Sequence, residues 1–298
     1  MEADVIEKYK KAGKIAKEVR EFSKGLIKEG AKTLHIADEI EKKIKELGGE
    51  FAFPTNISIN SVAAHSTPKI NDETVLNKGD VVKIDIGVHV DGFIADTAYT
   101  VEVGSNNWKG LIKASEDAVK AAIGLAKPGA VISDIGAAIE DAIKKHGFTP
   151  IANLSGHEVG EYELHAGITI PNFNNNSTQT LEEGMAIAIE PFATNGFGRV
   201  IDAKDSEIFR LMMPKPIRNP ASRKILEYVV EKHQALPFCK RWIAKAVGGF
   251  GIETGILELI RNATLHRYPV LKEEKEGAMV SQAEHTILVF EEPIVTTL

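Results

Sequence analysis

The chain repeats itself. Gly30 and Ala31 open a segment carrying Ile36, Ile40, Glu41, Ile44, Lys45 and Gly48, and Gly129 and Ala130 open another carrying Ile135, Ile139, Glu140, Ile143, Lys144 and Gly147, every position offset by 99. Isoleucines at i, i+4 and i+8 lie on one helical face, and each helix stops at a glycine. Two amphipathic helices can look alike by chance, but the correspondence continues. Leu76-x-x-Gly79 leads to Asp85 and Leu181-x-x-Gly184 leads to Glu190, each acid preceded by isoleucine, at an offset of 105. A unit of two helices and several strands has been duplicated, with a few residues inserted in the second copy. Such a chain builds a sheet around a pseudo-two-fold axis with a site at the junction. The fold class expected is α+β, not a Rossmann fold, and no G-x-G-x-x-G or P-loop follows any strand.

Periodicity predicts helices near 3–28, 34–47, 107–126 and 133–146, and strands near 51–60, 81–90, 93–103, 150–157, 164–170, 184–191 and 278–291. Between them, 210–268 has a helical texture, with helices expected near 220–235, 238–247 and 253–263 and Asn219-Pro220 as a helix start. The domain organisation expected is a duplicated catalytic domain, 1–209 plus 269–298, with an inserted helical subdomain at 210–268.

Two aspartates lie in apolar, strand-like runs on either side of Asp91-Gly92. That dipeptide favours a two-residue type I′ loop, in which both residues have φ > 0. The register then sets Val90 opposite Phe93 and Gly87 opposite Asp96, which makes Asp85 a diagonal neighbour of Asp96 on one face, with Cα atoms roughly 7–8 Å apart. A hairpin with one solvated face could carry acids, and His89 and Asp91 near the turn fit that plainer reading. Asp85, held between Ile84 and Ile86, does not. Two buried carboxylates repel each other unless a cation lies between them.

Three further donors stand in strand or turn contexts: His157 in Gly156-His157-Glu158, Glu190 before Pro191, and Glu284 in Ala283-Glu284-His285. With Asp85 and Asp96 they make four carboxylates and one imidazole. Such a set suits Mn, Fe, Co or Zn, and four carboxylates balance two divalent ions. The only cysteine, Cys239, excludes an internal disulfide and a cysteine-rich metal site, and it fits a reducing cytosol. The net charge of −6 gives no reason to expect nucleic acid or anionic membrane as partner. No segment reaches the roughly 18 apolar residues of a membrane span, and the N-terminus does not read as a secretory signal, so a cytoplasmic location is expected.

The motifs Asp85-Ile86-Gly87, Asp96-Thr97-Ala98, Gly156-His157, Ile189-Glu190-Pro191 and Glu284-His285-Thr286 together resemble those of the methionine aminopeptidases of the pita-bread, or creatinase–aminopeptidase, family, along nearly the whole chain. The resemblance implies two metal ions, one held by Asp85 and Asp96, the other by His157 and Glu190, with Asp96 and Glu284 bridging. It implies that His65 contacts the scissile amide nitrogen, that His165 donates to the carbonyl oxygen, and that Glu190 shuttles the proton. Phe53, Pro54 and Asn56 resemble the family's pocket strand, with Phe192 and Tyr268 as further pocket residues. The helical block, with its Leu236–Trp242 and Tyr268–Leu271 segments, is similar to the insertion of the type II subclass, in its short archaeal form without an N-terminal extension.

The implied activity is removal of N-terminal methionine from nascent polypeptides with a small second residue, by a protein expected to be monomeric, with the ribosome as a further candidate partner. A broader or proline-specific peptidase of the same fold is the runner-up. A non-catalytic ribosome- or RNA-binding homologue fits poorly, because all five donor positions are present and the C-terminus is short and neutral.

Overall fold

A computed structural model describes residues 1–298. The first unit runs α1 (Ala3–Lys24), α2 (Thr33–Glu46), β1 (Glu50–Phe51), β2 (Asn56–Ile59), β3 (Val62–Ala64), β4 (Val81–Val90) and β5 (Phe93–Glu102). The second runs α3 (Lys109–Ile123), α4 (Ile132–Lys145), β6 (Thr149–Pro150), β7 (Ser155–Gly160), β8 (Glu163–Pro171), β9 (Ala186–Ile189) and β10 (Phe192–Thr194). Then follow β11 (Val200–Leu211), α5 (Pro220–Lys232), β12 (Phe238–Cys239), α6 (Lys240–Val247), α7 (Ile252–Arg261), β13 (Leu265–Glu273), β14 (Val280–Gln282), β15 (His285–Leu288) and β16 (Ile294–Val295).

The duplication is visible bond by bond. Gly30 N–H donates to Leu76 O at 2.8 Å and Leu76 N–H to Ala31 O at 2.9 Å; Gly129 N–H donates to Leu181 O at 2.8 Å and Leu181 N–H to Ala130 O at 2.9 Å. Both anchors need a glycine, since φ is +78° at Gly30 and +81° at Gly129. In each unit the isoleucine face of the helices packs on one face of the strands. Ile36, Ile40 and Ile44 meet Val82, Ile84, Ile86 and Val88; Ile135, Ile139 and Ile143 meet Ile170, Ile187 and Ile189. Because strand side chains alternate, Lys83, Asp85 and Gly87 are turned to the opposite face, away from the helices.

The β4–β5 hairpin has the expected register, with Val90 opposite Phe93 and Gly87 opposite Asp96. Its loop residues have φ of 51° at Asp91 and 89° at Gly92, as a primed turn requires. Other elements differ from the expectation. The strand expected at 51–60 is broken between β1 and β2 around Pro54, which has no N–H to give to a ladder. The strand expected at 278–291 is broken at Ala283 and Glu284. The block 210–268 holds the three expected helices, but strands flank it. β11 and β13 pair antiparallel along their length, and β13 also pairs with β3. β11 lacks a strand signature in the sequence because residues 201–205 are all exposed, so no apolar alternation marks it.

The helices α5–α7 have their own core of Ile225, Val229, Phe238, Trp242 and Leu259, joined by Phe209 of β11. A buried ion pair ties this core to α2. Arg241 donates Nη1–H and Nη2–H to Glu41 at 2.8 and 2.7 Å, and the Trp242 indole donates to the same carboxylate at 2.8 Å. No helix is long and apolar enough to cross a membrane. Replacing Glu41 by Ala strands a buried guanidinium, so Glu41→Ala should lower stability by about 3–5 kcal/mol, while Asp38→Ala, at the half-exposed end of the cluster, should cost less than about 1 kcal/mol. Chemical denaturation of the two variants checks the contrast.

Candidate metal centre

The five donors arrive on five different strands or strand ends. Asp85 on β4 and Asp96 on β5 converge as the hairpin register dictates. Thr286 of β15 grips the Asp96 backbone, accepting from its N–H at 2.7 Å and donating to its carbonyl at 2.9 Å. Glu284 sits where the chain steps from β14 to β15. It exchanges backbone bonds with Ala98, the residue opposite Asp85: Glu284 N–H to Ala98 O at 3.0 Å, Ala98 N–H to Glu284 O at 3.4 Å. β15 then pairs with β9, setting His285 opposite Ile189 and bringing Glu284 next to Glu190. β7 pairs with the other side of β9 and delivers His157. The strand break at Ala283 and Glu284 is therefore the seam that joins the two units.

The electrostatics of this cluster are adverse for bare protein. Burial raises the Asp85 carboxyl to about 7. Burial, then repulsion from the neighbouring acids, drives Asp96 and Glu284 well above the carboxylate range; burial, then repulsion from Asp85, does the same to Glu190. Oδ1 of Asp85 and Oδ1 of Asp96 are buried without any hydrogen-bond partner. Gln282 gives its amide N–H groups to Glu190 at 3.3 Å and Glu284 at 3.4 Å, which leaves most acceptor capacity unused. His157 Nδ1 faces the Glu158 carbonyl at 3.3 Å, so it carries the proton and Nε2 presents its lone pair to the acids. That Nε2 lies 3.7 Å from Asp96 and 3.7 Å from Glu190. Donor atoms of Asp96, His157 and Glu284 all lie within 4.8 Å of one another. Unsatisfied carboxylate oxygens converging with an imidazole lone pair fit divalent cations.

One cavity brings together all five donors, His65, His165, Phe53, Asn56 and Tyr268. His65 has φ of +59°, held by Nδ1–H donation to Pro269 O at 3.2 Å, so Nε2 is its acceptor. The His165 ring lies 4.4 Å from that of His157. Burial, with the nearby His157, His65 and Arg210 adding to it, pushes the His165 imidazole down to about 3, so it is neutral at pH 7. The Phe53 ring lies directly over Gly87, where a Cβ would come within 2.3 Å of it. Glycine opposite Asp96 thus admits the aromatic wall.

Two expected pocket residues are elsewhere. Phe192 is buried in a cluster with Ala63, Ile151, Val200 and Val280, because the chain breaks at Glu190-Pro191 and Phe192 does not keep the face of Glu190. Pro54 is buried outside the cavity wall, and its carbonyl accepts from the Asn56 amide at 2.9 Å. Sequence reasoning missed Leu164, Ile208 and Pro237, which line the cavity, and Gln282 and Thr286, which hold its acids. Gln282 carried a signal: it lies two residues before Glu284, the spacing that puts side chains on one face of an extended chain.

The profile of metallopeptidase family M24 matches residues 7–254. The chain belongs to metallopeptidase family M24. A methionine aminopeptidase of Methanocaldococcus jannaschii is 46% identical over 297 residues, covering 100% of this chain and 99% of that protein. Another from Archaeoglobus fulgidus is 47% identical over 289 residues, covering 97% of each. Among solved structures, a thermophilic Arx1 has the same fold at a TM-score of 0.87 with 21% identity, covering 99% of this chain and 91% of that one. A methionine aminopeptidase of Thermotoga maritima superposes at a TM-score of 0.72 with 25% identity, over 100% and 98% of the two chains. The family resemblance carried by the motifs, and the pita-bread fold it implied, are therefore correct.

Because burial and mutual repulsion raise the proton affinity of these carboxyls, titrating a divalent metal into the metal-free protein should release protons, and affinity should rise with pH. Weakly buffered titration followed by a pH electrode measures this. Asp96→Asn should remove both the proton release and the bound metal; a fully metallated variant would exclude Asp96 as a ligand.

Proposed function

We propose that this protein is a metal-dependent methionine aminopeptidase acting on nascent polypeptides in the cytoplasm, with a preference for a small second residue. The observation that carries the reading is one cavity combining five metal donors, two differently wired histidines and an apolar wall. Full-length relatives named methionine aminopeptidase support it.

Two divalent ions, drawn from Mn, Fe, Co or Zn, would be held by Asp85, Asp96, His157, Glu190 and Glu284. When bound they supply Lewis acidity, acidifying the attacking water and polarising the scissile carbonyl. The chain's own residues do the rest. Phe53, Leu164, Ile208 and Pro237 form an apolar wall for an unbranched thioether side chain. His65 Nε2, an acceptor by the wiring above, receives the scissile amide N–H and orients the bond. His165, neutral, donates an N–H to the carbonyl oxygen as charge gathers there in the tetrahedral transition state. Glu190 takes the proton of the attacking water and delivers it to the amine nitrogen as the C–N bond breaks.

Metal-loaded protein should cleave Met-Ala-Ser and leave Leu-Ala-Ser and Ala-Pro nearly intact; equal cleavage of Leu-Ala-Ser would favour a broad aminopeptidase. His165→Ala should lower kcat by about 10²–10³-fold, the range for loss of one oxyanion donor, with metal content unchanged. Steady-state kinetics and metal analysis on the same preparations test both parts.

A further inference from the structure

Four arginines are not exposed. Arg20, Arg241 and Arg267 each pair with a carboxylate. The fourth, Arg210 of β11, has no carboxylate partner, and its Nε is buried without a hydrogen bond. Across the ladder it faces His266, which adds no negative charge. A cation with a buried donor group unsatisfied is costly unless something else completes it.

Arg210 lies in a second cavity that adjoins the metal cavity. The two share Leu164, His165, Pro237 and Tyr268, and the second adds Arg210 and Glu163. Glu163 is exposed and forms no ion pair with Arg210. The guanidinium is close to Tyr268 and His165. Its charge and a hydrogen-bonding contact with the Tyr268 hydroxyl oppose the rise that burial imposes there, and it adds to burial, His157 and His65 in lowering His165, while its Nε stays unsatisfied.

Resting on the reading above, a bound substrate has three parts that could enter this cavity. The free α-amine is cationic and would be repelled by Arg210. The thioether side chain is apolar and gains nothing from an unpaired guanidinium. The segment beyond the scissile bond is polar and can carry a carboxylate. A planar guanidinium with free donors matches a carboxylate better than any other peptide group. We propose that Arg210 is a specificity-determining residue that pairs with an acidic side chain in the leaving segment, just beyond the small second residue. The protein would then favour methionine-initiated chains with Asp or Glu near their start.

The test uses metal-loaded enzyme and C-terminally amidated peptides, so that no terminal carboxylate can substitute for a side chain. Met-Ala-Ser-Ser is compared with peptides carrying Glu or Lys at the third or fourth position. For wild type, Glu at one of these positions should raise kcat/KM over Ser by roughly 5- to 20-fold, as a charge-assisted pair at a half-open site allows, and Lys should lower it. The Glu-to-Ser ratio should fall to within about twofold of one in Arg210→Met and Arg210→Gln, and should largely persist in Arg210→Lys. Because the readout is a ratio within each variant, a general loss of activity does not mimic it. Equal cleavage of the Glu, Ser and Lys peptides by wild type, or a ratio that survives in both neutral variants, would overturn the role of Arg210 alone. Failure of wild type to cleave any methionine peptide would overturn the aminopeptidase reading and this one together.

Discussion

Four carboxyl groups crowded into a buried cleft, two with oxygens that no donor reaches, are the constraint around which the molecule is organised. Each acid alone would be costly to bury, and together they repel. The chain holds them there nonetheless, by rigid means: a two-residue turn that sets the β4–β5 register, a threonine that grips the Asp96 backbone, and a strand break that carries Glu284 from one sheet to the next. The protein supplies a single side-chain amide, from Gln282, to relieve two of the four. Such a cluster needs protons or cations to balance it, and its unsatisfied oxygens converging with an imidazole fit cations, in keeping with membership in a metallopeptidase family.

Duplication explains how so many donors meet. Each unit brings an acid on its central strand, Asp85 or Glu190, after the same glycine-anchored approach. The units are no longer equivalent in chemistry. The first adds a second carboxylate, Asp96, and the second adds an imidazole, His157. The two histidines outside the donor set differ as well. His65 is fixed by a backbone carbonyl in a left-handed conformation, whereas the His165 ring lies tilted against that of His157 at the cavity mouth. In the proposed reaction, an acceptor on one side and a neutral donor on the other would provide the asymmetry that cleavage of a peptide bond needs.

The sequence was most legible where structure is local. Asp91-Gly92 prescribes a primed turn by backbone sterics alone, so the pairing of Gly87 with Asp96 follows from those two residues and a count along the chain. The isoleucine spacing and the glycine anchors did the same for α2 and α4. Legibility failed where a strand is defined by its partner. β11 is exposed along residues 201–205 and is held as a strand by β13, whose own pairing is interrupted by bulges. It failed again at Phe192, where a break after Glu190 resets which face a residue occupies. The Arg241–Glu41 pair spans 200 residues, and nothing in either local segment announces the other.

By itself, then, the sequence determined the duplicated helices, the hairpin register and the family, and it named the five candidate donors, because turn sterics and periodicity act over a few residues at a time and each motif is short. Only the tertiary structure decided which side chains line the shared cavity, that Gln282 and Thr286 brace its acids, and that Arg210 stands beside His165 without a carboxylate partner. Those facts depend on strands from opposite ends of the chain meeting at one seam, and on burial, which turns a residue's ordinary charge into an unmet need for a partner.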